Sequence, residues 1–197
     1  MVVDPAARRP AWRPGALTDV TVDLRPMTRA DLPDLLRWLL APHVARWFPS
    51  AKPWTSEVVE RRYGPRIDGS TPERMFVVTV EGEPVGFVQD YRIGDHPEFA
   101  LLTAQPDAIG VDYAIGVPEQ LGRGVGLAML RLWFGLARAG YPGASTYFAA
   151  PDHRNVASRR LLLAAGFVEG LWFDEPQADG TTATMVGHTL DVTAVLG

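Results

Sequence analysis

The 197-residue sequence contains no cysteine, so structural disulfides, thiolate zinc sites and a cysteine nucleophile are excluded in any compartment. Charge of one sign is also scarce. Nineteen Lys and Arg against 23 Asp and Glu leave a net charge of −4, too little basic excess for a nucleic-acid surface. The four histidines, His43, His96, His153 and His188, are dispersed without a His-Glu-x-x-His or similar spacing, and no metal is expected. The amino-terminal residues are rich in Arg and Pro but lack an apolar core of signal-peptide length. These absences predict a cytoplasmic protein without nucleic-acid or membrane partners.

Hydrophobic residues make up 47% and charged residues 21%, ordinary globular usage, in a length that suits one core. Residues 1–18 read as a flexible tail and residues 19–197 as one domain. Val20, Val22 and Leu24 alternate with polar residues as in a half-buried strand. Thr28 is placed to cap a helix carrying Leu32, Leu35, Leu36, Leu39 and Leu40, and Thr55 or Ser56 to cap a second that ends near Gly69. Residues 74–80 and 84–91 flank a Gly82 turn as a β-hairpin, with Val85, Phe87 and Gln89 on one face. A long acidic segment, residues 92–107, precedes a strand over residues 109–117. A helix over 127–139, a strand over 145–149, a helix over 155–165 stopped by Gly166, and strands over 167–173 and 182–190 complete an α+β layout around a mostly antiparallel sheet.

Between the fourth strand and the helix that follows it lies Gln120-Leu121-Gly122-Arg123-Gly124-Val125-Gly126. Alternating glycines at a helix start expose unpaired N–H groups to an anion, the helix dipole adds to the attraction, and Arg123 adds a rim charge. The segment is neither a P-loop, which needs Gly-Lys-Ser/Thr, nor a Gly-x-Gly-x-x-Gly fingerprint. Spacing alone fits a structural turn as well as a diphosphate cradle.

This turn, together with Asn155-Val156-Ala157-Ser158 through Ala165-Gly166-Phe167, resembles the two acetyl-CoA motifs of the GNAT acyltransferases, in the same order and separation. The resemblance implies a GNAT fold with a splayed central strand pair and flanking helices, and acetyl-CoA as co-substrate. It implies that Gly122, Arg123, Gly124, Val125 and Gly126 hold the diphosphate and that Ile115 and Val117 offer main-chain groups to pantetheine. Asn155 and Ser158 would face the remaining parts of the cofactor, and Arg159 or Arg160 its ribose phosphate. There are departures: Leu121 stands where the motif opens on Gln or Arg, and Leu162 where the family usually has a tyrosine that protonates the CoA thiolate.

Val44-Ala45-Arg46-Trp47-Phe48, Gly110-Val111-Asp112 and Gln120-Leu121-Gly122 resemble the aminoglycoside N-acetyltransferase branch. That resemblance implies acetylation of an aminoglycoside amine, at 6'-N or 2'-N, conferring resistance, with Asp112 as the group that holds and deprotonates the amine. Trp47, Phe48, Asp107 and Asp152 join Asp112 as candidates for binding a small polycationic substrate, Asp152 because Ala150 replaces the branch's usual acid. Trp54, Trp172, Asp95, Glu98, Asp174, Glu175 and Asp179 are further aromatic and acidic candidates. Asp152-His153-Arg154-Asn155 also resembles the siderophore-type lysine N-acyltransferases, the rival reading, and a catalytically silent acyl-CoA-binding module is a third. Either a monomer or a homodimer is compatible with the sequence.

Overall fold

The computed structural model describes residues 20–96 and 105–196, and among these described residues seven strands form one sheet. The expected tail and Glu98 lie outside the described residues. In chain order the elements are β1 (Val22–Pro26), α1 (Leu32–Leu40), a short α2 (Pro42–Ala45), α3 (Ser56–Ile67), β2 (Arg74–Val80), β3 (Glu83–Arg92), β4 (Ile109–Ile115), α4 (Val125–Gly140), β5 (Thr146–Ala149), α5 (Val156–Ala165), β6 (Val168–Pro176), β7 (Thr182–Asp191) and α6 (Val192–Leu196). The strand order is β1-β2-β3-β4-β5-β7-β6. Every neighbouring pair is antiparallel except β4 with β5. This is the α+β GNAT architecture that the sequence implies.

Local chemistry fixes the helix ends. The Thr55 side chain accepts from the Val58 N–H at 3.2 Å and Asn155 from the Ser158 N–H at 3.1 Å, as N-caps do. Thr28 precedes a 3-10 turn at Arg29–Asp31, where Asp31 accepts from the Thr28 N–H at 2.8 Å, and α1 starts only after that turn. Gly166 ends α5 in a left-handed conformation, φ 101°, that a glycine adopts without strain.

Two apolar clusters sandwich the sheet. Trp133, Phe134 and Met129 of α4 and Leu162 of α5 cover one face, against Val78, Val88, Ile109 and Tyr147. Leu35, Trp38 and Leu39 of α1 with Val59 and Tyr63 of α3 cover the other, against Met75, Val77 and Phe87. One expected register is corrected. Val78 pairs with Gly86 but Thr79 with Pro84, so Val85 is an extra residue, and it packs with Val88 on the face opposite Phe87.

The same bulge shapes the end of β4. The Val85 carbonyl accepts from both the Gly116 N–H (2.7 Å) and the Val117 N–H (3.2 Å), while the Ile93 N–H donates to Ala108 O at the other end of the ladder. These two ends set the alternation of β4. The peptide groups of Val111, Tyr113 and Ile115 turn away from β3, toward β5. β5, however, pairs with β4 only at Ile109↔Tyr147 and Gly110↔Phe148 before the strands part. The gap they leave is the seat of the site described below.

Farther along β3, the fully buried Asp90 accepts from Arg74 (2.6 and 2.8 Å), from the Trp133 indole N–H (2.8 Å) and from the Tyr141 hydroxyl (3.2 Å). Three side chains, one on β2, one on α4 and one just past its end, converge on one carboxylate, which ties the helix to the sheet. Asp90→Ala leaves these donors unpaired, and a loss of about 3 kcal/mol is expected, as for other one-sided disruptions of buried pairs. In thermal denaturation this appears as a midpoint lower by roughly 6–12 °C for a domain of this size. Removing the exposed Asp68, paired with Arg29, leaves the midpoint nearly unchanged.

Candidate active site

The glycine turn enters α4 through Gly124 in the left-handed region, φ 81°, with Gly122 also left-handed at φ 71°. An added Cβ at Gly122 meets nothing within 4 Å, so backbone conformation rather than crowding is what selects glycine there. The first bonds inside the helix come from the Leu127 and Ala128 N–H groups, both to Gly124 O at 3.1 Å. The Val125 and Gly126 N–H groups therefore remain as orphan donors at the positive end of a 16-residue helix.

They open into a cavity of about 630 Å³, lined by Gly122, Gly124, Val125 and Gly126, by Tyr113 and Ile115 of β4, and by Asn155, Ser158 and Arg160 at the start of α5. Arg46 and Arg154 add positive charge to its wall, His43 also lines it, and among the described residues no carboxylate does. A cradle of orphan N–H groups with cations and no acid suits a diphosphate. Arg160 faces this cavity. Arg159 does not, being held by Glu169 at 2.8 Å and by His153 O at 3.0 Å.

Three of the expected cofactor contacts are modified by their neighbours. The Ile115 carbonyl already accepts from His43 Nε2 at 3.0 Å, which leaves its N–H toward the gap. Val117 sits beyond the gap: its N–H is bonded to Val85 O, and its side chain lines a separate depression beside α1. Arg123 is exposed on the outside of the turn, donating to Gln120 at 3.3 Å, and is not part of the cavity wall.

On the far side of the strand gap two adjoining cavities, of about 430 and 250 Å³, share Trp47, Phe48 and Asp112. Asp112 accepts from Gln89 Nε2 at 3.2 Å and from the Tyr91 hydroxyl. Burial pushes its pKa upward, against the lowering effect of Arg66, Arg62 and those hydrogen bonds. Glu175, on β6, lines the larger cavity with it, and burial followed by repulsion from Asp112 raises its pKa to about 7. Two carboxylates in one enclosure, each resisting ionisation, make a receptor for a cationic group that relieves both penalties.

The other predicted acceptor residues divide. Trp47 and Phe48 line all three cavities, and Phe48 is fixed edge-on against Phe87 with ring centroids 5.4 Å apart. Trp54 lines the larger acceptor cavity. Asp152 and Asp179 line the smaller one, but Asp152 is already bidentate with Arg154, at 2.6 and 2.9 Å, which depresses its pKa. Asp107 does not join them. Its side chain, on the loop that precedes β4, is 91% exposed, paired with Arg92, and outside every one of these walls. Trp172 is half exposed on the edge strand, and Asp174 accepts from Thr184 there.

The sequence names Glu175 only as one acid among several. No local signal separates it from Asp174; the strand alternation that turns one inward and the other to solvent appears only once β6 is paired to β7. Tyr113 and His43 carry no sequence signal of their own, although Tyr113 follows Asp112 directly.

A family model described as an acetyltransferase (GNAT) domain matches residues 27–174. Aminoglycoside N(6')-acetyltransferase type 1 of Klebsiella pneumoniae is 28% identical over 150 residues, covering 75% of this chain and 74% of that protein. The crystal structure of aminoglycoside acetyltransferase AAC(6')-Ib with coenzyme A and kanamycin superposes with a TM-score of 0.73 at 26% identity, over 88% of this chain and 96% of the other. Spermidine N-acetyltransferase from Vibrio cholerae shares the fold, with a TM-score of 0.70 at 18% identity, over 89% and 98% of the two chains.

A pH signature follows from Glu175. A carboxyl whose folded pKa is raised stays protonated in the native state while the unfolded chain ionises, so its contribution to stability is lost as pH rises from about 4.5 through about 7. Glu175→Gln is therefore expected to melt higher than the parent at pH 8, with the advantage shrinking toward pH 4. Thermal melts across that range check it, and a pH-independent difference would remove the carboxyl from the cavity's electrostatics.

Proposed function

This chain belongs to the GNAT acetyltransferase family, whose domain model spans 148 of its 197 residues, and we propose that it moves the acetyl group of acetyl-CoA to the 6'-amine of an aminoglycoside. The observation that carries this reading is the electrostatic partition of one continuous cleft. A wall of orphan N–H groups and arginines without acids adjoins a wall that holds Asp112 and Glu175, with Trp47 and Phe48 at the junction. An anionic cofactor and a cationic acceptor are each drawn to their own side.

When bound, acetyl-CoA supplies an activated acyl carbon and a thiolate leaving group. The chain's own residues do the rest. The Val125 and Gly126 N–H groups with Arg160 hold the phosphates, and the gap-facing peptide groups of β4 line up the pantetheine arm, leading it toward Asp112. Asp112 receives the substrate ammonium and takes its proton. Its raised pKa brings the carboxylate nearer the working pH and makes it a better base than an ordinary aspartate. Glu175 supplies the second negative charge for a second ammonium, a demand that a polyamine sugar meets and a simple monoamine does not. Acetylation of an aminoglycoside confers resistance, and a demand for acetyl-CoA supports a cytoplasmic location. No helix among the described residues is long and apolar enough to cross a membrane.

One feature favours the lysine-type reading. Arg62 lines the larger acceptor cavity and offers a partner for a carboxylate, which a lysine derivative has and an aminoglycoside lacks. The silent binding module is disfavoured by two desolvated carboxylates facing the gap.

An amine panel with acetyl-CoA, read by release of free thiol, decides among these. Turnover is expected with kanamycin-like aminoglycosides and little with lysine derivatives; the reverse order would support the rival, and no turnover with any amine the silent module. Asp112→Asn should lower kcat/KM for the accepted amine by about a hundredfold to ten-thousandfold while calorimetry shows CoA affinity unchanged. Gly124→Asp, which puts a carboxylate and a strained φ at the diphosphate seat, should abolish CoA binding.

A further inference from the structure

Expulsion of a thiolate needs a proton donor close to sulfur, and at the position where the family resemblance implies a tyrosine the side chain is Leu162, fully buried and without a proton to give. A chain threaded from the glycine turn to Asp112 passes the residues that line both the anion-binding cavity and the smaller acceptor cavity. Among these are Arg46 and Arg154, whose guanidinium groups do not deprotonate, the Trp47 indole and Asn155 amide, which are not acids at any working pH, and the Ser158 hydroxyl, an aliphatic alcohol. The remaining protic group is the phenol of Tyr113. Its hydroxyl lies 2.8 Å from Ser158 Oγ, across the gap between β4 and α5. Ser158 and Leu162 are four residues apart, on one face of α5, so the Tyr113 hydroxyl stands one helical turn from the leucine.

We propose that Tyr113 is the general acid of this enzyme, donating its phenolic proton to the departing CoA sulfur in place of a side chain at position 162. The inference rests on the acetyl-transfer reading above. Tyr113 Oη releases its proton to sulfur as the amine N–C bond forms and the thioester C–S bond breaks with its electron pair on sulfur. The ammonium nitrogen gives up two protons in all, by way of Asp112 to solvent. One proton returns from solvent to the phenolate through the Ser158 hydroxyl, so a single proton is released per turnover. Burial raises the phenol's pKa above its ordinary value, which keeps the proton on oxygen until a thiolate develops beside it.

The decisive measurement is the pKa of the thiol of CoA bound to the full-length protein, followed by thiolate absorbance or alkylation rate against pH, which needs no acceptor amine. A phenol that donates to the thiolate stabilises it, so Tyr113→Phe is expected to raise the bound thiol's pKa by about one unit. CoA affinity by calorimetry should stay within about threefold, because the ring and its packing remain and only one hydrogen bond is lost. Ser158→Ala, which removes the phenol's resting partner but not the phenol, should leave the thiol's pKa at or below the parent value. With an amine that turns over, Tyr113→Phe should also lower kcat by about a hundredfold or more. An unchanged thiol pKa in Tyr113→Phe overturns the assignment whatever happens to turnover. A raised thiol pKa in a protein that acetylates no amine upholds Tyr113 and sinks the acceptor reading instead.

Discussion

The parting of β4 from β5 is the constraint on which the rest of this structure depends. Two residue pairs hold these strands together, and beyond Gly110 the peptide groups of Val111, Tyr113 and Ile115 face open space in the middle of a seven-stranded sheet. Buried backbone donors and acceptors cannot remain unpaired without cost, so the gap needs either water or a ligand with amide groups of its own. β5 is free to diverge because its other edge is fully paired to β7, over Thr146–Ala149. β4 is held on its far side by an unbroken ladder with β3, which closes on the Val85 bulge. Each strand is anchored on one side, and the opening lies between two rigid walls.

The helices around the gap sort its charges. α4 and α5 both present their N-terminal ends to one side of the opening, with Arg160, Arg154 and Arg46 nearby and no acid in the wall. On the other side, Asp112 on β4 and Glu175 on β6 converge, although they are far apart in sequence. Burial raises both carboxyl pKa values, repulsion from Asp112 raises that of Glu175 further, and a bound ammonium reverses these effects by stabilising the charged forms. Arg66 moderates the repulsion from behind, bonded to Gln89, which itself donates to Asp112. The order of contacts runs from α3 through β3 to Asp112, so helix packing helps to set how readily that carboxyl ionises.

Rigidity at this site comes largely from contacts made outside its walls. Asp90 gathers Arg74, Trp133 and Tyr141, so that α4, whose first turn carries the orphan N–H groups, is locked to β2 and β3 near its other end. On the opposite face, Trp38 of α1 lies against Gly116, where a Cβ would meet its ring at 2.1 Å. That close approach positions the chain as it leaves β4 for the glycine turn. His43, from α2, then reaches the Ile115 carbonyl and fixes the mouth of the gap.

How much of this was legible in the sequence follows from the range of the interactions involved. The glycines at 122, 124 and 126, the caps at Thr55 and Asn155, the left-handed stop at Gly166 and the apolar spacing of α1 are local, and the order of elements could be read from them without any tertiary contact. Asp112 could be named because it adjoins a recognisable strand, and the GNAT resemblance lies in short motifs in register. Side-chain partners across the fold could not be read. The bulge that turns Val85 away from Phe87 depends on how β2 pairs with β3. Asp107 and Asp152 have the expected charge but are taken up by Arg92 and Arg154, and Val117 has its N–H bonded to Val85. Glu175 and Tyr113 became site residues only when β6 was brought beside the gap and α5 placed Ser158 across from β4. The sequence by itself determined which segments are helix or strand and where the glycine turn opens a helix, because those choices rest on residues within a few positions of one another. Only the tertiary structure decided which acids and which hydroxyl face the opening, because burial and long-range pairing, not residue type, set their orientation and their charge.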